Sequence, residues 1–145
     1  MAKCYRDLEV WRLGLDLVET VYRCTAEFPK SEIFGLRAQM RSAAVSIPSN
    51  IAEGQARSSS KEFLRFLSIA LGSLAELATQ FELAHRLGYL GTEFEVAQSH
   101  AELLGKKLHS LRTSIKNRAP LTNNQQPTTN NQQPSTNNQP LTTSH

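Results

Sequence analysis

The sequence predicts an all-α protein, an antiparallel up-down-up-down four-helix bundle with a disordered C-terminal tail. Four segments carry apolar residues at alternating spacings of three and four, the spacing of one helical face. Short connections with helix-capping, proline and glycine residues separate them, which favours antiparallel neighbours. No segment alternates with the period of two expected of a half-buried strand. The bundle is predicted to occupy residues 1–118 and the tail residues 119–145.

The first helix is predicted from about Tyr5 to Glu27, where Phe28-Pro29 ends it because the residue before proline avoids helical geometry. Its main apolar face is expected to be Leu8, Trp11, Leu15, Val18 and Tyr22, widened by Val10, Leu17, Val21 and Cys24. The second helix is predicted to begin at an N-cap, Ser31, to kink at Pro48 and to end near Gly54. Its core face is Leu36, Met40, Ala43 and Ile47.

The third and fourth helices begin at two predicted capping boxes, Ser59 to Glu62 and Thr92 to Glu95. The core face of the third is predicted to be Phe63, Leu67, Ala70, Leu74, Leu77, Phe81 and Ala84, before a glycine stop at Gly88. That of the fourth is Phe94, Ala97, Ala101, Leu104, Leu108, Leu111 and Ile115. Glycine in a helix interior costs about 1 kcal/mol against alanine, so Gly72 and Gly105 predict close helix approach.

The tail is a degenerate repeat of seven-residue units rich in Asn, Gln, Thr and Pro. From Ala119 onward it has no Asp, Glu, Lys or Arg, and its only large aliphatic residues are Leu121 and Leu141. Such a segment buries too little apolar surface to offset the entropy of ordering, so disorder is predicted. It is either an assembly element or a neutral appendage, and the proline in its repeats favours the second.

Several classes of function are disfavoured by the sequence. No stretch approaches the roughly 20 apolar residues of a membrane span, and the N-terminus lacks the apolar segment of a secretory signal. Cys4 and Cys24 are predicted about 30 Å apart on one helix, too far for a disulfide, and reduced thiols suggest a cytoplasmic protein. No usual metal-ligand spacing, phosphate-binding loop or nucleophile motif occurs. We therefore expect no catalytic residues, metal or cofactor, and no enzyme activity.

Two sets of polar residues remain as candidate sites. The C-terminal half of the fourth helix carries Lys106, Lys107, Arg112 and Lys116 without any acid, either to complement the negative helix end or to contact phosphates. The second set lies near the apolar faces of the second and third helices: Asn50, Glu53, Arg57, Ser73 and Glu76. One hypothesis is that they form a partly buried hydrogen-bonded network, which would fix either the helix register or the subunit contact. The alternative is that Asn50 and Glu53 cap and terminate a kinked helix.

Three stretches go beyond a generic bundle pattern: FPKSEIFGL at 28–36, SIPSNIAEG at 46–54, and the run from Glu62 to Leu77 that contains IALGSLAEL. With the opening LEVW, they resemble the four-helix bundle family of 23S rRNA intervening sequence proteins over about residues 5–116. Arg41 matches an arginine of that family and would share a helix face with Arg37, four positions before it, as a candidate nucleic-acid site. Ser42 stands where the family often has a second arginine, which weakens an RNA site on this helix.

The resemblance implies a bacterial protein that assembles into cyclic pentamers, with no enzyme activity. It also implies similarity to accessory proteins of diversity-generating retroelements, which bind nucleic acid and a reverse transcriptase. The main hypothesis is a homo-oligomeric scaffold that binds RNA or other nucleic acid through the basic residues named above. The alternatives are a module whose partner is another protein, such as a reverse transcriptase, and a bundle carried passively by a mobile or intervening element.

Overall fold

The computed structural model describes residues 4–118, and the predicted all-α fold is confirmed within this range. Its four helices are α1 (Glu9–Thr25), α2 (Leu36–Ala56), α3 (Ser60–Arg86) and α4 (Glu93–Arg118). Two 3₁₀ turns, Tyr5–Asp7 and Lys30–Glu32, precede α1 and α2. No strand occurs between residues 4 and 118. The predicted disordered tail, 119–145, lies outside the described residues.

Contacts between neighbouring helices pair early residues of one with late residues of the next, which makes the bundle antiparallel. Arg41 near the start of α2 meets Tyr22 near the end of α1, while Gly14 faces Pro48 later in α2. In the same way Ser46 meets Ser73, and His85 stacks on Phe94. The pair Glu9–Lys107 joins the start of α1 to the second half of α4 and closes the cycle of four helices.

The core residues of α2, α3 and α4 are close to those predicted. Leu36, Met40, Ala43 and Ile47 of α2 are all buried. The predicted faces of α3 and α4 are buried as well, except that Phe63, Phe94, Leu111 and Ile115 near the helix ends are only partly buried. Phe81 is the largest fully buried side chain. The alternation of three and four therefore identified the inner faces of three helices.

The predicted main face of α1 is wrong. Leu15 and Tyr22 are exposed, and the other members of that face are only partly buried. The buried face comprises three of the residues predicted to widen it, Val10, Leu17 and Val21, together with Gly14, Thr20 and Thr25. Two of these are threonines, whose hydroxyls donate to backbone carbonyls of the preceding turn: Thr25 to Val21 at 2.8 Å and Thr20 to Asp16 at 3.0 Å. Because the hydroxyls are satisfied within the helix, both side chains can be buried at little cost.

The predicted N-cap of α2, Ser31, is also wrong. Ser31 lies in the 3₁₀ turn and α2 begins at Leu36, after Gly35. Glu32 provides the cap instead, since its Oε2 accepts the N–H of Leu36 at 2.7 Å. This carboxylate satisfies one of the unpaired N–H groups and places negative charge at the positive helix end. The helix then continues through Pro48 to Ala56; a kink at Pro48 stays a prediction.

The N-terminus of α3 is capped as predicted, because Ser59 Oγ accepts the N–H of Glu62 at 3.3 Å. Gly88 lies just beyond the end of α3 with φ of 78°, a left-handed conformation that favours glycine. At the start of α4, within the described residues, the predicted capping box of Thr92 and Glu95 does not form; instead Glu93 Oε2 accepts the N–H of Gly91 at 3.1 Å.

Helices approach each other closely at Gly54 and Gly14, and not at Gly72 as predicted. A Cβ added at Gly72 would meet nothing within 4 Å, so this expectation is wrong. A Cβ at Gly105 would lie 3.4 Å from Leu74 Cδ2, an ordinary contact. The tight crossings are Gly54, where a Cβ would lie 2.5 Å from Phe66 Cβ, and Gly14, where it would lie 3.3 Å from Pro48 Cβ.

Candidate nucleic-acid interface

The second half of α4 presents cations to solvent in two ways. Lys106, Lys116 and Arg118 are exposed, whereas Lys107 and Arg112 are half-buried. Lys107 Nζ lies 3.3 Å from Glu9 Oε1 on α1, so part of its charge is already compensated. Arg112 Nε is buried and has no hydrogen-bond partner among the described residues. The cations available to a ligand are therefore Lys106, Lys116, Arg118 and the outer part of Arg112.

The two basic residues of α2 are placed differently. Arg41 turns towards α1, where its Nε donates to Thr25 Oγ1 at 2.9 Å and its Nη2 to the carbonyl of Tyr22 at 3.3 Å. Its guanidinium also lies 4.3 Å from the centre of the Tyr22 ring. Arg41 thus ties α1 to α2, while Arg37, one turn before it, is half-buried.

The antiparallel arrangement puts the two basic sets at opposite ends of the bundle. Arg37 and Arg41 lie in the first part of α2, near the end of α1, whereas the basic half of α4 lies near the start of α1. The structure therefore does not bring the candidate nucleic-acid residues of α2 and α4 together.

We call the end where α1 and α3 begin and α2 and α4 finish the basic end: residues 4–17, 46–73 and 106–118. It carries ten basic and five acidic residues, a net charge of +5. The other half, residues 18–45 and 74–105, carries five basic and eight acidic residues, a net charge of −3. The charge of the bundle is thus strongly polarised along its axis.

Sequence reasoning missed several members of the basic end: Arg6, Arg12, Lys61 and Arg65. Arg65 pairs with Glu62 at 3.0 Å, and its guanidinium lies 4.6 Å from the Phe66 ring centre. The predicted antiparallel order could have revealed them, because such a bundle places the starts of its first and third helices beside the end of its fourth.

The second set of polar residues forms three separate contacts. Asn50 Nδ2 donates to the carbonyl of Ser46 at 2.7 Å, and Ser46 Oγ donates to Ser73 Oγ at 2.5 Å, which joins α2 to α3. Glu53 and Arg57 form an exposed ion pair at 3.1 Å, worth only tenths of a kcal/mol. Glu76 accepts from Gln80 Nε2 at 3.3 Å.

Gln80 is the buried polar residue beside this set. Its Oε1 has no hydrogen-bond partner among the described residues. Since Nε2 already donates to Glu76, exchanging the two amide atoms would place oxygen against carboxylate, so the assigned orientation is the better one.

The described residues contain no group of three or more His, Cys, Asp and Glu arranged to hold a metal ion. Between residues 4 and 118 no helix is long and apolar enough to cross a membrane. Burial, and secondarily the nearby carboxylate of Glu93, raises the pKa of the Cys24 thiol, which favours the protonated form.

Comparison with known proteins finds both a family model and a solved structure that are similar to the chain. The family model of the 23S rRNA-intervening sequence protein matches residues 6–110. A crystal structure of a protein with unknown function from the S23 ribosomal protein family of Bacteroides thetaiotaomicron VPI-5482 is 25% identical, with a TM-score of 0.65. The match covers 72% of this chain and 95% of that chain. None of the curated proteins compared with the chain matches it.

Proposed function

The chain belongs to the 23S rRNA-intervening sequence protein family, and we propose that it is a non-enzymatic bundle that associates with copies of itself and binds RNA. The RNA-binding surface is the basic end, with the second half of α4 at its centre. The observation that carries the proposal is the run 106–118, which has five Lys or Arg residues and no acid.

The negative end of α4 does not account for this charge. A helix macrodipole corresponds to about half a negative charge at the C-terminus, and its effect falls off within the last turn. Five cations spread over residues 106–118 exceed that requirement several-fold and begin more than two turns earlier. An uncompensated surface of one sign attracts polyanions, and phosphate backbones are the commonest of these.

Arg41 is not part of this surface, since it lies at the opposite end of the bundle and its donors are directed at Thr25 and Tyr22. Lys107 is partly neutralised by Glu9. The contacts to phosphate accordingly come from Lys106, Arg112, Lys116 and Arg118, which all lie on one helix. Such contacts read the backbone rather than the bases, so we expect affinity for structured RNA with modest sequence preference.

Association with copies of the chain would multiply this weak surface. The outer groove between α1 and α2 supports a subunit contact, because it is lined by the apolar side chains of Trp11, Leu15, Val18 and Val45 around a cavity of about 360 Å³. Leu15 and Val45 are exposed there. Each further copy adds one basic end, and electrostatic binding strengthens with every phosphate neutralised.

The test compares two charge-matched double variants of the full chain in binding to a labelled RNA stem-loop. Lys106→Gln with Lys116→Gln removes two exposed cations of the basic end. Lys30→Gln with Arg86→Gln removes two exposed cations from the opposite half. At 0.1 M salt each lost phosphate contact weakens binding by about five- to tenfold, so the first variant should bind far more weakly than the second. Equal affinities, or no RNA binding at low salt, would refute the proposal.

A further inference from the structure

The seam between α1 and α4 contains an open groove. Its wider part is a cavity of about 540 Å³ whose lining includes Thr20, Cys24, Leu90 and Val96. A smaller cavity of about 150 Å³ follows, lined by Leu13, Leu17 and Leu103 among others. Both are lined by His100, so they are consecutive parts of one groove.

The floor of the groove is apolar although it faces solvent. Val96 is 55% exposed and Leu103 is 45% exposed, and with His100 they occupy positions i, i+4 and i+7 of α4. The core residues of α4 at this level are alanines, Ala97 and Ala101, which bring little bulk to the interior. Side chains spaced by four and three on a groove floor match the spacing of an amphipathic helix lying across them.

The rim of the groove is acidic. Asp16 on α1, Glu27 in the turn just after α1 and Glu93 on α4 line it, against one cation, Arg23. Asp16 follows Glu9 by seven residues, which places both on one face of α1. Among the described residues, Asp16, Glu27 and Glu93 form no ion pair.

The groove is bounded and has a definite length. At one end lies Glu93, and at the other the ion pair between Lys107 and Glu9 closes the seam. From position 93 to position 107 α4 rises about 21 Å, the length of four helical turns.

We propose that this groove binds a basic amphipathic helix of a partner protein, about four turns long. Its apolar face lies on Val96, His100 and Leu103, and its Lys or Arg residues meet Asp16, Glu27 and Glu93. This interface differs from the RNA-binding surface: Glu93, Val96 and Leu103 lie in the half of net charge −3, and the part of the groove within the basic end contributes Leu13, Asp16 and Leu17 but no cation. Burying the exposed valine and leucine supplies the affinity, and the acidic rim selects the charge of the partner.

The direct test uses a fluorescein-labelled 18-residue helical peptide of leucine and lysine, and a second peptide with glutamate in place of lysine. Fluorescence anisotropy with the full chain should show saturable binding of the lysine peptide and none of the glutamate peptide. Equal binding of both peptides, or of neither, would overturn the proposal.

Matched variants then locate the site. Val96→Lys with Leu103→Lys should weaken binding of the lysine peptide at least tenfold. Ile69→Lys with Leu83→Lys on α3 adds the same charge at positions 41% and 47% exposed and should change it less than twofold. All four positions are exposed, so helix content measured by circular dichroism should be retained. Equal losses in both variants would indicate a general charge effect and reject the groove.

The acidic rim is tested in the same way. Asp16→Asn with Glu27→Gln should weaken the lysine peptide about tenfold, whereas Glu95→Gln with Glu102→Gln, exposed and outside the groove lining, should leave it unchanged. A wild-type chain that does not bind the peptide, together with a changed particle mass in the Val96→Lys, Leu103→Lys variant, would show that the groove is a contact between copies. The proposal would then be wrong.

Cys24 supplies an independent readout because it lines the groove. In a Cys4→Ser chain it is the single remaining cysteine. Saturating lysine peptide should slow modification of Cys24 by a maleimide severalfold, and an unchanged rate would place the peptide elsewhere. The groove variants remove no cation, so they should not weaken RNA binding, and failure of this proposal and failure of the RNA proposal are distinguishable.

Discussion

Replacing Gly54 by alanine is expected to destabilise the bundle, although alanine is the better helix former. A Cβ at this position would lie 2.5 Å from Phe66 Cβ and 3.5 Å from the carbonyl oxygen of Phe63. Phe66 Cβ is bonded to the backbone and cannot rotate away, so α2 and α3 must move apart. Overpacking of this kind costs about 1–3 kcal/mol, and the gain in helix propensity is at most about 1 kcal/mol. The net loss should be about 1–2 kcal/mol.

Gly72→Ala is the matched control within the helix that faces Gly54. The added methyl would meet nothing within 4 Å, so only the propensity term applies. This variant should be more stable than the wild type by up to about 1 kcal/mol. The two Gly→Ala variants should therefore differ in their free energy of unfolding by about 1–3 kcal/mol, the cost of overpacking, and in opposite directions from the wild type.

Urea unfolding followed by circular dichroism at 222 nm measures this difference. All three full chains are compared at one protein concentration, because self-association adds to apparent stability. A Gly54→Ala chain as stable as Gly72→Ala would refute the packing derived for the α2–α3 crossing.

Three further predictions concern single side chains. Arg41→Ala should lose about 1–2 kcal/mol of stability in urea unfolding, since the hydrogen bond to Thr25 and the contact with the Tyr22 ring disappear, and Arg41→Lys should recover little of it; a loss within error would contradict this role. Ser59→Ala should lose about 1 kcal/mol as the cap of α3 is removed, while Ser58→Ala should be neutral. In a Cys4→Ser chain, iodoacetamide should modify Cys24 at pH 8 more slowly than a solvent-exposed thiol, because the raised pKa of Cys24 leaves less thiolate. Glu93→Gln should lower that pKa and speed the reaction. An unchanged rate in Glu93→Gln would show that the carboxylate has no such effect.

Helix number and the inner faces of α2, α3 and α4 could be predicted because their apolar residues recur at helical spacing with few interruptions. The face of α1 could not be predicted in this way. Its buried side includes Gly14, Thr20 and Thr25, which a hydrophobic pattern does not count, while Leu15 and Tyr22 point outward. A threonine that bonds its own helix backbone can be buried like an apolar residue, and only the packing reveals it.

The start of α2 shows a second limit. Ser31 followed by Glu32 has the composition of an N-cap, yet the helix begins five residues after Ser31. Glu32 Oε2 accepts the N–H of Leu36 at the end of a 3₁₀ turn. Tyr89, in the loop between α3 and α4, donates to the other carboxylate oxygen of Glu32 at 3.4 Å. The cap therefore depends partly on a residue 57 positions away, which no local motif contains.

For the candidate interface, the basic half of α4 could be predicted from the sequence, but the placement of the other basic residues relative to it could not. Arg41 is directed towards α1 because Thr25 and Tyr22 of that helix accept its hydrogen bonds. The separation of Arg37 and Arg41 from Lys106 and Lys116 follows from the antiparallel order of the helices. The groove between α1 and α4 has no sequence signal of its own, because Val96 and Leu103 fit the general amphipathic pattern of α4.

The salt dependence of RNA affinity tests the central claim most directly. The logarithm of the association constant is measured against the logarithm of salt concentration between 50 and 200 mM, with particle mass determined on the same samples. Contacts from Lys106, Arg112, Lys116 and Arg118 predict a slope of about −3 to −4 for each bundle engaged, reduced by about 2 in the Lys106→Gln, Lys116→Gln chain. A slope near zero, or one unchanged in that variant, would contradict an RNA-binding surface at the basic end.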